Sequence, residues 1–301
     1  MSLKDFIRRK IRSAVGTDEI VAAVNRRFVA GGPLSNDARE IIRAQTLNRW
    51  KAVDAMDRLL FPDDFKVTCG ICGHSAEKQT YRTMVTYCMF GGGRIERFVC
   101  PRCGCIFGPL KMLVLDPKEL EEEYRLCFTA YTWALSAHEI MTAESVVTDR
   151  DKTYLNYGSG GDLESGSAAV MRKRGYRVYA YEPYAQLDGA PDWVIRSKER
   201  LRDMKFDAIY SNDLLEHLAD PAAELGFMKS LLKDENSFLE HSTSCFEYRQ
   251  EYSRFHLFFF TGISLEYLCR KCGLVAELVA NEERRPGRQY ISYRFYHAGR
   301  A

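Results

Sequence analysis

The chain has 301 residues, of which 46% are hydrophobic and 28% charged, with a formal net charge of +2. That length gives room for about two domains with ordinary buried cores. The near-neutral balance removes any global electrostatic case for a nucleic-acid or anionic-membrane partner.

Residues 1–60 are more basic, with 12 Lys/Arg against 7 Asp/Glu, a pattern that fits a solvated helical face or a surface that meets a polyanion. No apolar run approaches the ~20 residues that a helix needs to cross a bilayer. The start, Met1-Ser2-Leu3-Lys4-Asp5, lacks an apolar core of signal-peptide length. The expected location is the cytoplasm, where thiols stay reduced, so ten cysteines need a reason other than disulfides.

The predicted elements begin with two amphipathic helices over residues 3–28 and 35–60, separated by Gly31-Gly32-Pro33. Ser35 or Asn36 caps the second, whose apolar face is expected to carry Ile41, Ile42, Leu47, Val53, Met56, Leu59 and Leu60. Residues 66–115 switch to short β-type stretches around a Gly91-Gly92-Gly93 turn, and 117–147 return to helix. From 153 onward strands alternate with helices. The strands expected are Thr153–Tyr157, Arg177–Tyr181, Trp193–Ile195, Ala208–Ser211, Ser237–Glu240, Val275–Val279 and Tyr290–Tyr296. Such alternation predicts βαβ units in a doubly wound parallel sheet. The expected domains are a helical segment over 1–62, a metal module over 63–116, and an α/β domain with a leading helix over 117–301.

Cys69-x-x-Cys72 and Cys100-x-x-Cys103 are each followed by glycine, Gly73 and Gly104. A CxxCG turn aims two thiolates at one ion while glycine relieves the backbone. Four thiolates in a tetrahedron suit a closed structural Zn²⁺ site. Reduced buried cysteines are the alternative; His74, Cys88 and Cys105 are spare ligands nearby. The segment resembles a zinc ribbon, in which the metal holds together a module too small to bury enough surface alone.

The strand Thr153–Tyr157 enters Gly158-Ser159-Gly160-Gly161-Asp162, and a helix follows over Ser167–Arg174. A strand, a glycine turn and a helix let backbone amides approach a ligand without Cβ interference. The next strand ends at Glu182, placed to accept both hydroxyls of an adenosine ribose. A third strand runs to Asn212-Asp213 and into Leu214-Leu215-Glu216-His217-Leu218-Ala219-Asp220-Pro221. Three strand-end loops thus converge where open α/β sheets bind ligands.

The order Tyr-Gly-Ser-Gly-Gly, then Tyr-Glu-Pro, then Asn-Asp-Leu-Leu-Glu-His-Leu-Ala-Asp-Pro, across about residues 150–297, resembles class I S-adenosylmethionine-dependent methyltransferases. The resemblance implies a Rossmann-like sheet of seven strands and S-adenosylmethionine as cofactor. Tyr157, Gly158, Ser159 and Gly160 would line its methionine end, Glu182 its ribose, and Asn212 and Asp213 the region of the sulfonium. Two positions depart from the family: Asn156 stands where an acid precedes the first glycine, and Asp162 stands where the third glycine falls. An NAD-dependent enzyme shares the βαβ pattern and the Glu182 spacing; the Asn212 to Pro221 segment favours the methyltransferase.

Tyr252-Ser253-Arg254-Phe255-His256 precedes an aromatic cluster through Phe260. The layout is similar to nucleotide-sugar C-methyltransferases, and His256 matches their catalytic histidine, with Ser253 in place of their tyrosine. His256, with His217 beside the crevice, is the candidate base for a hydroxyl or carbon acid; His241 is also expected near that crevice. Tyr124, Phe128, Tyr131 and Trp133 have core spacing, or Tyr131 or Trp133 covers the cofactor. The expected acceptor is a small molecule, a sugar, nucleotide-sugar or glycan. An RNA methyltransferase using the zinc module to grip nucleic acid is the second reading, and a scaffold that kept only the fold is the third.

Overall fold

The computed structural model describes residues 36–88, 93–116, 118–120, 123, 137–160, 166–183, 191–249, 253–285 and 288–299. They fall into two compact units, one drawn from residues 1–133 with 251–258 and the other from 134–250 with 259–301. The helix expected over 3–28, the Ser35 cap and the aromatic group Tyr124, Phe128, Tyr131 and Trp133 lie outside the described residues. Among the described residues no helix is long and apolar enough to cross a membrane.

The first unit opens with α1 (Asn36–Leu60). The predicted apolar face is only partly right. Val53 and Leu60 are buried, whereas Ile41 and Leu59 are exposed. The anchor that spacing passed over is Trp50, which is buried, with the Arg254 guanidinium 4.4 Å from its ring centroid. After α1 comes an antiparallel pair, β1 (Lys66–Thr68) with β2 (Ser75–Glu77). Then β3 (Arg82–Tyr87), β4 (Arg94–Val99) and β5 (Ile106–Phe107) form an antiparallel sheet, followed by the short α2 (Leu110–Leu113). The sheet's other edge is β11 (Phe258–Phe259), in the order β11-β5-β4-β3. Tyr81, Phe98 and Phe107 form its aromatic centre, with ring centroids 5.9 to 6.0 Å apart.

The second unit begins with α3 (Ala137–Val146), followed by β6 (Thr153–Tyr157), α4 (Ser167–Lys173), β7 (Arg177–Tyr181), β8 (Val194–Ile195), α5 (Lys198–Arg202) and β9 (Ala208–Asn212). Next are α6 (Pro221–Ser230), β10 (Phe238–Ser242), α7 (Ser264–Cys272), β12 (Leu274–Arg285) and β13 (Arg288–His297). Local chemistry sets several boundaries. Asp220 caps α6 by accepting the Ala223 amide at 3.0 Å, with Pro221 at the first helical position. Gly273 ends α7 with φ 61°.

The sheet order is β12-β13-β10-β9-β6-β7-β8. The five strands from β10 to β8 are parallel, as the alternation predicts. The other two are not: β13 runs antiparallel to both β10 and β12, so the sheet is mixed. The cause is the connection. Only residues 286–287 separate β12 from β13, and a parallel partner needs a crossover of a dozen residues or more.

Strand alternation divides the unit into two layers. Tyr154 packs with Ala143 and Val146 of α3 and Ala168 and Met171 of α4. Tyr157 faces the other way, its hydroxyl donating to Glu224 of α6. The antiparallel seam is pinned by Glu240, whose fully buried carboxylate accepts from Arg294 Nε at 3.0 Å and Nη2 at 2.7 Å. Ser145 and Ser292 hydroxyls donate to the same carboxylate at 2.6 and 3.0 Å. Glu240→Ala should therefore lower unfolding free energy by on the order of 3 kcal/mol in urea titration, because it strands Arg294 and two hydroxyls. A loss below ~1 kcal/mol would show that water replaces the carboxylate there.

Candidate functional site

In the first unit, the two CxxC turns come together. Cys69, Cys72, Cys100 and Cys103 present sulfurs that all lie within 4.8 Å of one another. The Cys69–Cys103 and Cys72–Cys100 sulfur distances are 3.8 and 3.4 Å. A Zn–S bond of about 2.3 Å sets a tetrahedron edge of about 3.8 Å. The turns are near copies. The Gly73 amide donates to the Cys69 carbonyl and the Gly104 amide to the Cys100 carbonyl, each at 2.9 Å. Their φ values are 74° and 76°, in the left-handed region that glycine tolerates.

Charge explains why such a cluster suits a cation. The hydrogen bond with Cys103 holds the Cys69 thiol down to about 2, and the same bond, with burial, pushes Cys103 up. Burial pushes Cys100 up as well. Four thiolates cannot share this space unless a metal ion compensates them. The spare residue Cys105 is wholly buried and its thiol is pushed up by burial.

In the second unit, the carboxyl ends of β6, β7 and β9 gather the predicted loop residues. The Gly158 and Ser159 amides donate to the Tyr181 carbonyl at 2.9 and 3.1 Å. The Gly160 amide donates to the Glu182 carboxylate at 2.8 Å. A Cβ on Gly158 would lie 3.1 Å from Leu214, which follows β9. Thus the three loops touch. Gly158 and Gly160 have φ 78° and 71°, and space opens around Gly160, where an added Cβ would meet nothing within 4 Å. Asp213 has φ 44°, an uncommon conformation for a residue with a side chain. Gly161 and Asp162 lie outside the described residues.

Polar atoms at these strand ends are buried and unsatisfied: among the described residues, Asn156 Oδ1, Ser159 Oγ and Asn212 Nδ2 have no hydrogen-bond partner. Buried polar atoms are ordinarily paired, so three in one place fit a polar ligand. The Asn212 side chain is fixed, its Oδ1 accepting from Thr142 at 2.7 Å and from Ser242. The Tyr157 side chain is committed elsewhere, to Glu224 and to Tyr181, with ring centroids 4.6 Å apart. Only its main chain is available to a ligand.

The histidines differ in their settings. His217 closes the short 3-10 turn Leu215–His217 after β9 and is half-buried. His241 is buried, its Nδ1 2.9 Å from Ser211 Oγ and its Nε2 3.6 Å from the buried Glu216 carboxylate, which is a structural setting. His256, in the segment that belongs to the first unit, is buried. Its loop is organised by a residue that no motif signals. Arg97 of β4 is fully buried and donates from Nη2 to the carbonyls of Ser253 at 2.6 Å and His256 at 3.2 Å. The Gly108 amide donates to Leu257 O at 3.0 Å, and Ser253 Oγ accepts the Phe255 amide at 3.1 Å.

Residues 130–278 match the family model described as a methyltransferase domain. The protein is an S-adenosylmethionine-dependent methyltransferase. Among solved structures, similarity extends to a 1,6-didemethyltoxoflavin-N1-methyltransferase of Burkholderia thailandensis. That match has 16% identity and TM-score 0.46, and covers 67% of this chain and 95% of that one. The magnesium protoporphyrin IX methyltransferase of Synechocystis PCC 6803 matches at 13% identity and TM-score 0.37, covering 53% and 80%. A mitomycin 7-O-methyltransferase matches at 16% and 0.39, covering 62% and 60%. Likenesses this distant carry no statement about acceptor. No curated protein matches the chain.

Arg97→Met keeps bulk and removes both carbonyl contacts. Amides of residues 253–258 should then exchange with deuterium at least about tenfold faster, the equivalent of ~1.4 kcal/mol of lost local stability. Unchanged exchange there would mean that the aromatic packing of the segment, not the guanidinium, holds it.

Proposed function

We propose that the enzyme transfers the methyl group of S-adenosylmethionine to a small-molecule acceptor, a sugar, nucleotide-sugar or glycan, with structural zinc in the four-cysteine cluster. The observation that carries the cofactor assignment is the junction of Gly160 with Glu182 beside unsatisfied Asn156, Ser159 and Asn212. S-adenosylmethionine supplies an electrophilic methyl group on a sulfonium. The main chain of Tyr157, Gly158 and Gly160, with Ser159 Oγ, receives the methionine end. Glu182 exchanges its bond from Gly160 for the ribose hydroxyls, which are better placed in number to use both carboxylate oxygens. Asn212 and Asp213 line the sulfonium region.

In-line transfer at carbon is mainly a matter of alignment, and a hydroxyl or carbon acid must also lose a proton. His256 takes that proton in this proposal, with His217 the second candidate. Support for His256 comes from its matched position in the sequence and from the Arg97 clamp, which fixes its main chain. The small-molecule acceptor follows from the nucleotide-sugar-like layout and from a net charge of only +2, which gives little for a polyanion to grip. Zinc follows from four sulfurs at tetrahedral spacing on two matched turns.

Calorimetry with S-adenosylhomocysteine tests the cofactor site. Glu182→Ala should weaken binding by about tenfold or more, whereas His256→Ala should bind like the native enzyme and lose turnover. An unaltered dissociation constant in Glu182→Ala removes the ribose assignment, and near-native turnover in His256→Ala removes the base. For the cluster, metal analysis of the purified protein should give one zinc per chain, lost in Cys100→Ser together with folding of the first unit. Equal zinc in the variant would contradict the four-thiolate site.

A further inference from the structure

The cofactor's α-amino group is cationic, yet the position before the first glycine, where the family carries an acid, holds Asn156. Charge at this site has to come from another element. Among the described residues, one carboxylate lies there. Glu139, in the first turn of α3, reaches the same spot. Its Oε1 accepts from Asn156 Nδ2 at 3.2 Å, from Ser167 Oγ at 2.7 Å and from the Ser167 amide at 3.2 Å. Three donors converge on one oxygen, so the carboxylate is oriented rather than swinging. Among the described residues its other oxygen, Oε2, accepts no hydrogen bond. Asn156 is itself 1% exposed, and among the described residues its Oδ1 has no partner. One buried amide thus uses its nitrogen to hold the carboxylate and leaves its oxygen open.

We propose that Glu139 supplies the anionic partner of the cofactor's ammonium group, with Asn156 acting as relay: it accepts from the ammonium through Oδ1 and positions Glu139 through Nδ2. The acid has moved from the strand to the preceding helix. The arrangement rests on the cofactor reading above and deepens it. Packing alone does not require this geometry. Ser167 is fully buried and would be satisfied by the Tyr210 hydroxyl, 3.1 Å from its Oγ, without a carboxylate. A charge brought into a half-buried position beside an unsatisfied amide oxygen is costly unless a cation joins it.

The test compares two ligands on the full chain, S-adenosylhomocysteine, which carries the ammonium, and 5′-methylthioadenosine, which lacks the amino-acid end. Glu139→Gln retains volume and an acceptor oxygen for Ser167 and Asn156 but removes the charge. It should weaken S-adenosylhomocysteine by about tenfold and alter 5′-methylthioadenosine by less than about twofold. Adding Asn156→Asp to Glu139→Gln returns the acid to the strand and should recover most of the lost affinity. Equal weakening of both ligands, or unaltered binding of both, overturns the proposal, as does failure of Asn156→Asp to restore affinity in a variant with a native unfolding midpoint. If the native enzyme binds 5′-methylthioadenosine but Glu139→Gln spares S-adenosylhomocysteine, the cofactor reading stands and only the Glu139 role falls. If the native enzyme binds neither ligand, both fall.

Discussion

The hydrogen bond from the Gly160 amide to the Glu182 carboxylate joins the first strand-end loop to the second and shapes the proposed ligand site before a cofactor enters. Parallel strands with helical returns bring all their carboxyl ends to one edge of the sheet. That alone leaves loops near one another without a shared shape. Here Glu182 ties β6 to β7, the Tyr181 carbonyl holds two further loop amides, and Leu214 closes against Gly158. The result is a fixed rim with buried polar atoms left unpaired. Those atoms carry a cost of about 1–3 kcal/mol each when nothing binds, a cost that a polar ligand removes.

The first unit solves a different problem. Its strands are short, and its aromatic centre of Tyr81, Phe98 and Phe107 is small. The zinc proposed for the four cysteines would cross-link two turns and so compensate for a core of that size. The same sheet carries Arg97, a buried cation that donates to the main-chain carbonyls of Ser253 and His256. Burying a guanidinium is costly unless its N–H groups find acceptors, and here Nη2 alone meets two carbonyls. The consequence is that the segment bearing His256 is fixed by the unit that holds the cysteines.

Much of this was legible in the residues. The strands expected over Thr153–Tyr157 and Arg177–Tyr181 have the observed bounds, and Asp220-Pro221 and Gly273 mark helix ends by mechanisms that act within a few residues. The paired CxxCG turns announced their own convergence. What stayed hidden depends on contacts across long sequence separations. Trp50 fell off the predicted face because Arg254, some two hundred residues later, stacks on it. The antiparallel β13 followed from a link too short to cross over, while strand composition alone reads equally well as parallel. Glu139, Thr142 and Arg97 carry no motif. Each acts through a neighbour brought near by folding, and Asn156 looked like a loss of charge until the structure placed a carboxylate beside it.

The most direct measurement is a crystal structure with S-adenosylhomocysteine. The account predicts the ribose hydroxyls on Glu182, the amino-acid end along Gly158 to Gly160, and the sulfur beside Asn212. Density for the ligand away from all three strand ends, with the Gly160 to Glu182 bond intact, would contradict it.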